Sequence, residues 1–195
     1  MLDQLLVLDA VVRTWATIHH AAWADFLMAA LSLAGRGGLV WMAIGATAAI
    51  RRPNLGPLLW QLALAIVLAH ITVDLALKPA LARSRPFDAI LDARVVGTRP
   101  ATYSFPSGHA AAAVAGAFVT SLMLPRAGAL LWLLAALIAL SRIYVGVHYP
   151  LDVIVGAAIG AAVAVLVTGG RAWYIQASSA AQDQWRGSSV GRAPD

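Results

Sequence analysis

The stretch that decides the fold is residues 57–77, PLLWQLALAIVLAHITVDLAL. A helix rises about 1.5 Å per residue, so this stretch reaches about 31 Å, enough to cross the hydrocarbon core of a bilayer. Backbone N–H and C=O groups inside a bilayer find no water and must pair within their own segment. The sequence therefore predicts a membrane-spanning helix here.

Similar apolar runs lie on both sides of this stretch. They cover residues 21–34, 39–50, 108–124, 127–140 and 153–168. Residues 2–18 have the pattern of an amphipathic helix at the membrane interface, with a true span as the alternative. The expected fold class is all-α, a polytopic membrane bundle of about six transmembrane helices. Residues 1–170 would form one membrane-embedded domain, with the interfacial helix at 1–20, and residues 171–195 a polar, disordered tail.

The composition agrees with a membrane location. Hydrophobic residues make up 61% of the 195 residues and charged residues 12%, with a mean hydropathy of +0.76. Soluble domains are about half apolar and about a quarter charged. The chain has no cysteine, which excludes disulfides and thiolate metal sites. Its net charge of +5 comes from arginines scattered between apolar runs, so a nucleic-acid-binding stripe is not expected.

Loop charges predict an orientation. Under the positive-inside rule, Arg51, Arg52, Arg126 and Arg171 mark the cytoplasmic side, with the amino terminus also inside. The connection over residues 78–107 then lies outside, although it carries several cations. Because the positive-inside rule disfavours cations on this side, we expect the cations of this loop to have a functional role.

Consecutive spans run antiparallel, which brings polar residues from four predicted spans to one membrane face. The end of the third span, the start of the fourth, the end of the fifth and the start of the sixth meet there. The residues delivered to this face are, in chain order, Lys78, Arg85, Ser107, Gly108, His109, Arg142, His148 and Asp152. Helix alternation alone therefore predicts a polar pocket at the mouth of the bundle.

The cations of this pocket point to an anionic ligand. Lys78, Arg85 and Arg142 would be costly near a bilayer unless they met an anion. The planar fork of arginine suits phosphate oxygens, and lysine adds a point charge. Ser107 and Gly108 stand where a helix starts, and free N–H groups and the helix dipole bind anions there. These five residues are candidates for phosphate binding.

The two histidines of the pocket suit phosphoryl transfer. Asp152, four residues after His148, can accept one imidazole N–H and leave the other nitrogen free to attack phosphorus. His109 would be the general acid that protonates the leaving oxygen. No metal or other cofactor is expected, because the cations already neutralise the phosphoryl oxygens.

These residues resemble the three-part signature of the type 2 phosphatidic acid phosphatase superfamily. The signature reads here Lys78-x6-Arg85-Pro86, Pro106-Ser107-Gly108-His109 and Ser141-Arg142-x5-His148-x3-Asp152. The resemblance implies a six-helix phosphatase domain that hydrolyses lipid phosphates without metal. It implies a phosphohistidine at His148, which Asp152 orients, with His109 as the acid and the other signature residues binding phosphate.

The resemblance also implies a substrate class and a location. Small bacterial members often act on undecaprenyl pyrophosphate, which is the first expectation, with phosphatidylglycerophosphate or phosphatidate as alternatives. A lipid transporter or flippase without hydrolysis is the alternative from another class. The expected partners are the lipid substrate and the bilayer, without nucleic acid, and a homodimer is left open. The expected location is the bacterial inner (plasma) membrane, with the site facing the periplasm or cell exterior.

Residues outside the signature carry further expectations. Asp74 lies on one face of the third span with Lys78 and is expected to pair with a cation. Gly156-x3-Gly160 predicts close helix packing, with a dimer seam as the alternative. Three arginines are expected in solvent or against lipid headgroups: Arg83, Arg94 and Arg99.

Overall fold

A computed structural model describes residues 9, 11, 14, 20–89 and 94–169 of the chain. The described residues form helices and loops without a β-strand, which confirms the all-α prediction. The expected interfacial helix over residues 2–18 lies outside the described residues, apart from helical positions 9, 11 and 14. The expected tail over residues 171–195 lies outside them entirely.

The principal helices follow the predicted apolar runs closely. They are α1 (Ala22–Ala34), α2 (Leu39–Arg51), α3 (Gly56–His70), α4 (Gly108–Met123), α5 (Gly128–Tyr144) and α6 (Pro150–Thr168). α3 continues through the π-helical segment Ile71–Leu77 into Lys78–Leu81. A single helical turn follows at Pro86–Ala89. Short 3₁₀ turns cover Arg36–Gly38, Pro53–Leu55 and Pro125–Ala127.

Local sequence explains where these helices begin and end. Pro57 and Pro150 lie in the first turns of α3 and α6, where a backbone N–H is not needed. Ser107 caps α4, because its hydroxyl oxygen accepts a hydrogen bond of 3.4 Å from the backbone N–H of Ala110. Gly169 ends α6 in the left-handed region, with φ of 63°.

Among the described residues, three helical segments are long and apolar enough to cross a membrane. They are Pro53–Asp88, Pro125–Tyr144 and Pro150–Thr168. α4 is a shorter apolar helix, and α1 and α2 form a pair bent by 51°. The protein is a polytopic membrane bundle, but the predicted count of six spans is not confirmed within the described part of the chain.

α1 and α2 together cross the bundle once. The backbone N–H of Ala21, just before α1, donates to the hydroxyl of Tyr144 at the end of α5 (3.4 Å). A Cβ on Gly45 in α2 would lie 3.6 Å from the sulfur of Met123, the last residue of α4. Since α4 and α5 are antiparallel neighbours, these contacts lie at opposite ends of the bundle. Gly37 and Gly38, with φ of 60° and 74°, break one span rather than reverse the chain between two.

Asp9 lies at the same end of the bundle as the start of α1. Asp9 accepts a hydrogen bond from the backbone N–H of Leu151 in the first turn of α6 (2.9 Å), at the same end as Ala21. The charge rule placed the amino terminus at the opposite end, and residues 1–8, which would test that prediction, lie outside the described residues.

α4 is the central helix of the bundle and packs against α2, α3, α5 and α6. Its sequence, GHAAAAVAGAFVTSLM, is rich in alanine and glycine, which lets neighbouring helices approach closely. Trp41 of α2 fills the notch at Gly116, where an added Cβ would overlap the indole. Small residues on α4 therefore allow four helices to surround one axis.

α6 packs directly against the backbone of α4 at two glycines. A Cβ on Gly156 would overlap the carbonyl oxygen of Ser107, and a Cβ on Gly160 would overlap that of Ala111. The expectation of close helix packing at this pair is confirmed. The same contact fixes the start of α4 against the start of α6.

Gly160→Ala is expected to lower the free energy of unfolding by about 1–3 kcal/mol, because a backbone carbonyl cannot move aside for the methyl group. Thermal unfolding of the purified protein in detergent measures the change. Gly56→Ala is the matched control, since nothing lies within 4 Å of its added Cβ. Equal melting temperatures for the two variants would contradict the packing account.

Candidate active site

The ends of α3 and α5 and the starts of α4 and α6 meet at one end of the bundle. The N–H of Ser107 donates to the carbonyl of Asp152 (2.9 Å) and joins the starts of α4 and α6, and the N–H of His148 donates to the carbonyl of Arg142 (3.2 Å) at the end of α5. The segment that continues α3 contacts the start of α4 through Asp74, whose carboxylate lies beside Gly108. The structure thus brings together the residues that helix alternation placed on one face. We call this polar cluster the site end.

His148 lies in the loop between α5 and α6 and is only 3% exposed. Its Nδ1 lies 3.3 Å from Oδ2 of Asp152, so that Nδ1–H donation leaves the Nε2 lone pair free for attack. Burial lowers the pKa of His148 to about 4; the hydrogen bond to Asp152 opposes this decrease, and Arg85 and Arg142 add to it. The imidazole is therefore neutral at pH 7, which is the form a nucleophile requires.

Asp152 is fully buried, and four donors hold its carboxylate. Besides His148, Oδ2 accepts from the hydroxyl of Ser104 and from the backbone N–H of Tyr149 (2.9 Å). Oδ1 accepts from Nη1 of Arg83 at 2.6 Å. A carboxylate constrained on both oxygens has one orientation, and this orientation fixes the ring of His148.

A cavity of ≈ 610 Å³ opens at the site end, with His109 and Arg142 in its wall. α1, residues 96–100 and Val147 supply much of the remaining wall. Arg142 donates through Nη1 to the hydroxyl of Ser32, while its buried Nε has no hydrogen-bond partner among the described residues. The volume falls in the range of about 300–1,000 Å³ that is usual for ligand pockets. A phosphoryl oxygen would satisfy the unpaired Nε–H.

Lys78 directly follows the π-helical segment. Its Nζ lies 2.7 Å from Oδ1 of Asp74, whose Oδ2 lies 2.9 Å from Nδ1 of His70. The same carboxylate lies beside Gly108, where an added Cβ would be 3.1 Å from Oδ1. The expected pairing of Asp74 with a cation is confirmed, and it holds Lys78 near the candidate anion site.

Arg85 is 2% exposed, and the protein itself uses most of its donors. Nη1 donates to the carbonyl of Val147 (2.7 Å) and Nε to the carbonyl of Thr102 (2.5 Å). Nη2 donates to the carbonyl of Tyr103 (3.0 Å). These bonds tie the segment before α4 to the residue that precedes His148, so Arg85 shapes the loop that carries this histidine.

Sequence reasoning missed three side chains at the site end: Ser104, Arg83 and Asp9. Arg83 was expected in solvent or against lipid headgroups, and that expectation is wrong, because its guanidinium bridges Asp152 and Asp9. Its position two residues before Arg85 was the available signal. Arg94 does lie near solvent, with a 59% exposed side chain that pairs with Asp25 (2.7 Å).

The fold is that of membrane-embedded phosphatases. The chain matches a transmembrane phosphatidylglycerolphosphate phosphatase from Bacillus subtilis with a TM-score of 0.68 and 22% identity, covering 86% of this chain and 92% of that chain. It also matches LpxE from Aquifex aeolicus with a TM-score of 0.67 and 28% identity, covering 82% of this chain and 94% of that chain.

The sequence pattern that defines the PAP2 superfamily matches residues 58–175, and the protein belongs to this superfamily. An undecaprenyl-diphosphatase of Sulfolobus acidocaldarius is 36% identical over 155 residues, which cover 76% of this chain and 71% of the relative. A decaprenylphosphoryl-5-phosphoribose phosphatase of Mycobacterium tuberculosis is 36% identical over 135 residues, covering 67% and 70%. The protein is therefore a lipid phosphatase that acts in a membrane, as the signature implied.

Proposed function

We propose that the enzyme removes the terminal phosphate of a polyprenyl pyrophosphate, foremost undecaprenyl pyrophosphate, through a phosphohistidine at His148. The observation that carries the mechanism is the buried pair of His148 and Asp152 at 3.3 Å, beside a cavity that His109 and Arg142 line. An imidazole held in one tautomer is prepared for nucleophilic attack.

In the first step, Nε2 of His148 attacks the terminal phosphorus and forms an N–P bond, while the bridging P–O bond breaks. His109 gives its proton to the leaving oxygen of the lipid monophosphate. In the second step, His109 takes a proton from water, whose oxygen attacks the phosphohistidine. Inorganic phosphate leaves, and His148 is again neutral. Asp152 stabilises the positive charge on the ring during both steps.

The cations near the cavity would hold the phosphoryl oxygens. The unpaired Nε–H of Arg142 supports a direct contact. Lys78 pairs with Asp74, whose carboxylate lies beside Gly108 at the positive end of α4. Ser107 would hold this helix start in place. Arg85 would contribute mainly through the loop that it fixes. These groups stabilise charge that develops on the transferred phosphoryl group, which is a large part of catalysis in such reactions.

The names of the two relatives support the polyprenyl substrate, because both refer to polyprenyl phosphates. Phosphatidylglycerophosphate and phosphatidate are the alternatives, because residues that bind a phosphate group do not distinguish one lipid tail from another. Among the polar residues of the described helices, Gln61 and His70 lie within α3, and Asp74 lies in the segment that continues it to the site end. A flippase would need a polar path through several helices, so hydrolysis is the better supported activity.

Loop charges support a site on the outer side of a bacterial inner membrane. Arg51, Arg52 and Arg126 share the end of the bundle opposite to His148, and the positive-inside rule assigns that end to the cytoplasm. The lipid phosphate would then be cleaved on the periplasmic side.

A panel of phosphorylated lipids tests the proposed function. Purified enzyme is given undecaprenyl pyrophosphate, phosphatidylglycerophosphate and phosphatidate at equal surface concentration, and released phosphate is measured. We expect the highest kcat/KM for undecaprenyl pyrophosphate. Faster turnover of a glycerophospholipid would replace the proposed substrate, and no release from any lipid would overturn the proposed function.

A further inference from the structure

Asp9 is connected to the catalytic pair through the guanidinium of Arg83. Nη1 of Arg83 donates to Oδ1 of Asp152 (2.6 Å), and Nη2 donates to Oδ2 of Asp9 (2.5 Å). Both carboxylates are buried, with side chains 0% and 4% exposed. Arg83 therefore connects two negative charges that lie far apart in the sequence.

The guanidinium of Arg83 is fixed on its other sides as well. It stacks over the ring of Tyr149 at 4.0 Å from the ring centre, a favourable cation–π geometry. The carbonyl of Arg83 accepts a hydrogen bond from the backbone N–H of Ser104 (2.9 Å), whose hydroxyl donates to Asp152. Arg83 and Ser104 thus form one support for the carboxylate of Asp152.

Asp9 supports the same region from the amino-terminal segment. Its Oδ1 accepts the backbone N–H of Leu151 (2.9 Å) in the first turn of α6, while Oδ2 holds Arg83. N–H groups in the first turn of a helix lack partners within the helix, and a negative charge is favourable there. Asp9 therefore fixes Arg83 relative to the helix that carries Asp152.

We propose that Arg83 and Asp9 are positioning residues of the phosphatase, which act on His148 through Asp152. The inference rests on the proposed role of His148 as nucleophile. Oδ2 of Asp152 faces His148, and Arg83 holds Oδ1, so the carboxylate cannot rotate away from the ring. Arg83 also balances the charge of Asp152, so that the imidazole stays neutral before attack.

The charges that face His148 come from every element around it. Asp152 is on α6, Arg142 on α5, His109 on α4, and Arg85 on the segment after α3, with Arg83 behind Asp152. Removal of Arg83 leaves the carboxylate of Asp152 balanced mainly by the ring. The charged imidazolium then becomes more favourable, and the pKa of His148 rises from its low value.

Arg83→Gln tests this role with the lipid that the wild type hydrolyses best. We expect kcat to fall about 10- to 100-fold with KM within about threefold, because misorientation of a catalytic group costs turnover rather than binding. The acid limb of the kcat/KM profile should move to higher pH. Arg94→Gln is the matched control, since it removes another arginine from an ion pair with an aspartate and should stay within about twofold.

Asp9→Asn separates positioning from charge. The asparagine oxygen can still accept from Leu151, but Arg83 loses its second carboxylate, so kcat should fall less than in Arg83→Gln and the acid limb should not move up. The double variant should lose no more than Arg83→Gln alone, since Asp9 acts through Arg83. If Arg83→Gln does not fold, Arg83→Lys carries the test with the same pH shift expected in smaller degree.

Normal kcat and an unmoved acid limb in the folded Arg83 variant would overturn the inference while the wild type still releases phosphate. An equal loss in Arg94→Gln would also overturn it, because the effect would then be general. A wild-type enzyme that hydrolyses no phosphorylated lipid would instead overturn the proposed function, and this inference with it.

Discussion

His148→Ala is expected to lower phosphate release by about 10⁴-fold or more, because the variant has no nitrogen that can attack phosphorus. The loss should appear in kcat for every lipid that the wild type hydrolyses. His148 lies in the loop between α5 and α6, so the helices should still pack, and thermal unfolding in detergent should show a folded protein. Rapid quenching at alkaline pH should trap acid-labile phosphate on the wild type and none on the variant.

The chain offers a matched control for this substitution. His20 is another buried histidine, with a side chain 4% exposed and Nδ1 2.7 Å from Oδ1 of Asp25. His20→Ala removes the same kind of pair and should leave turnover within about threefold, because it carries no step of the reaction. Near-normal turnover by His148→Ala would rule out this residue as the nucleophile.

Asp152→Asn is expected to lower kcat by about 10³- to 10⁴-fold, with little change in KM. The asparagine has one acceptor oxygen, whereas the carboxylate accepts from four donors on two oxygens. Its amide group must face either Arg83 or His148, and both present N–H donors. The imidazole therefore loses its tautomer or its orientation, and the positive charge that develops on the ring loses its counter-charge.

Asp25→Asn is the control for this variant. Asp25 accepts from Tyr144 (2.9 Å) and Arg94 (2.7 Å) as well as pairing with His20, so its environment is comparable. Turnover by Asp25→Asn should stay close to that of the wild type. Equal losses in both variants would mean that Asp152 acts through stability alone, and normal kcat in Asp152→Asn would contradict its orienting role.

Hydrophobic run length predicted the helices well, because the cost of unpaired backbone in lipid leaves the chain few choices. It failed at α1 and α2, where two apolar runs were counted as two spans. Gly37 and Gly38 bend one crossing there by 51°. Whether a glycine-rich break reverses a chain or only bends it depends on which helices pack against the segments before and after the break. Here Gly35 packs against Ile138, and Gly38 packs against Ile66. The length of an apolar run predicts neither contact.

Alternation of helix direction placed the signature residues at one end without knowledge of any contact. It could not predict that backbone carbonyls would accept the hydrogen bonds of Arg85, because every residue has a backbone carbonyl and the sequence does not show which one lies nearby. It also missed the bridge from Arg83 to Asp9. Asp9 is a single acidic residue in an apolar run, and only the folded chain brings it to the first turn of α6.

The break after α1 produces a separate helix that lines the cavity but carries none of the proposed reacting groups. α1 supplies Ala29, Ser32 and Leu33 to the cavity wall, whereas the reacting groups stand on α4, on α6 and in the loop before α6. Changes at Ala29 and Leu33 can therefore reshape the space offered to a headgroup, whereas Ser32 also accepts a hydrogen bond from Arg142. Such a division lets substrate preference diverge among descendants through a few small side chains, with hydrolysis inherited intact.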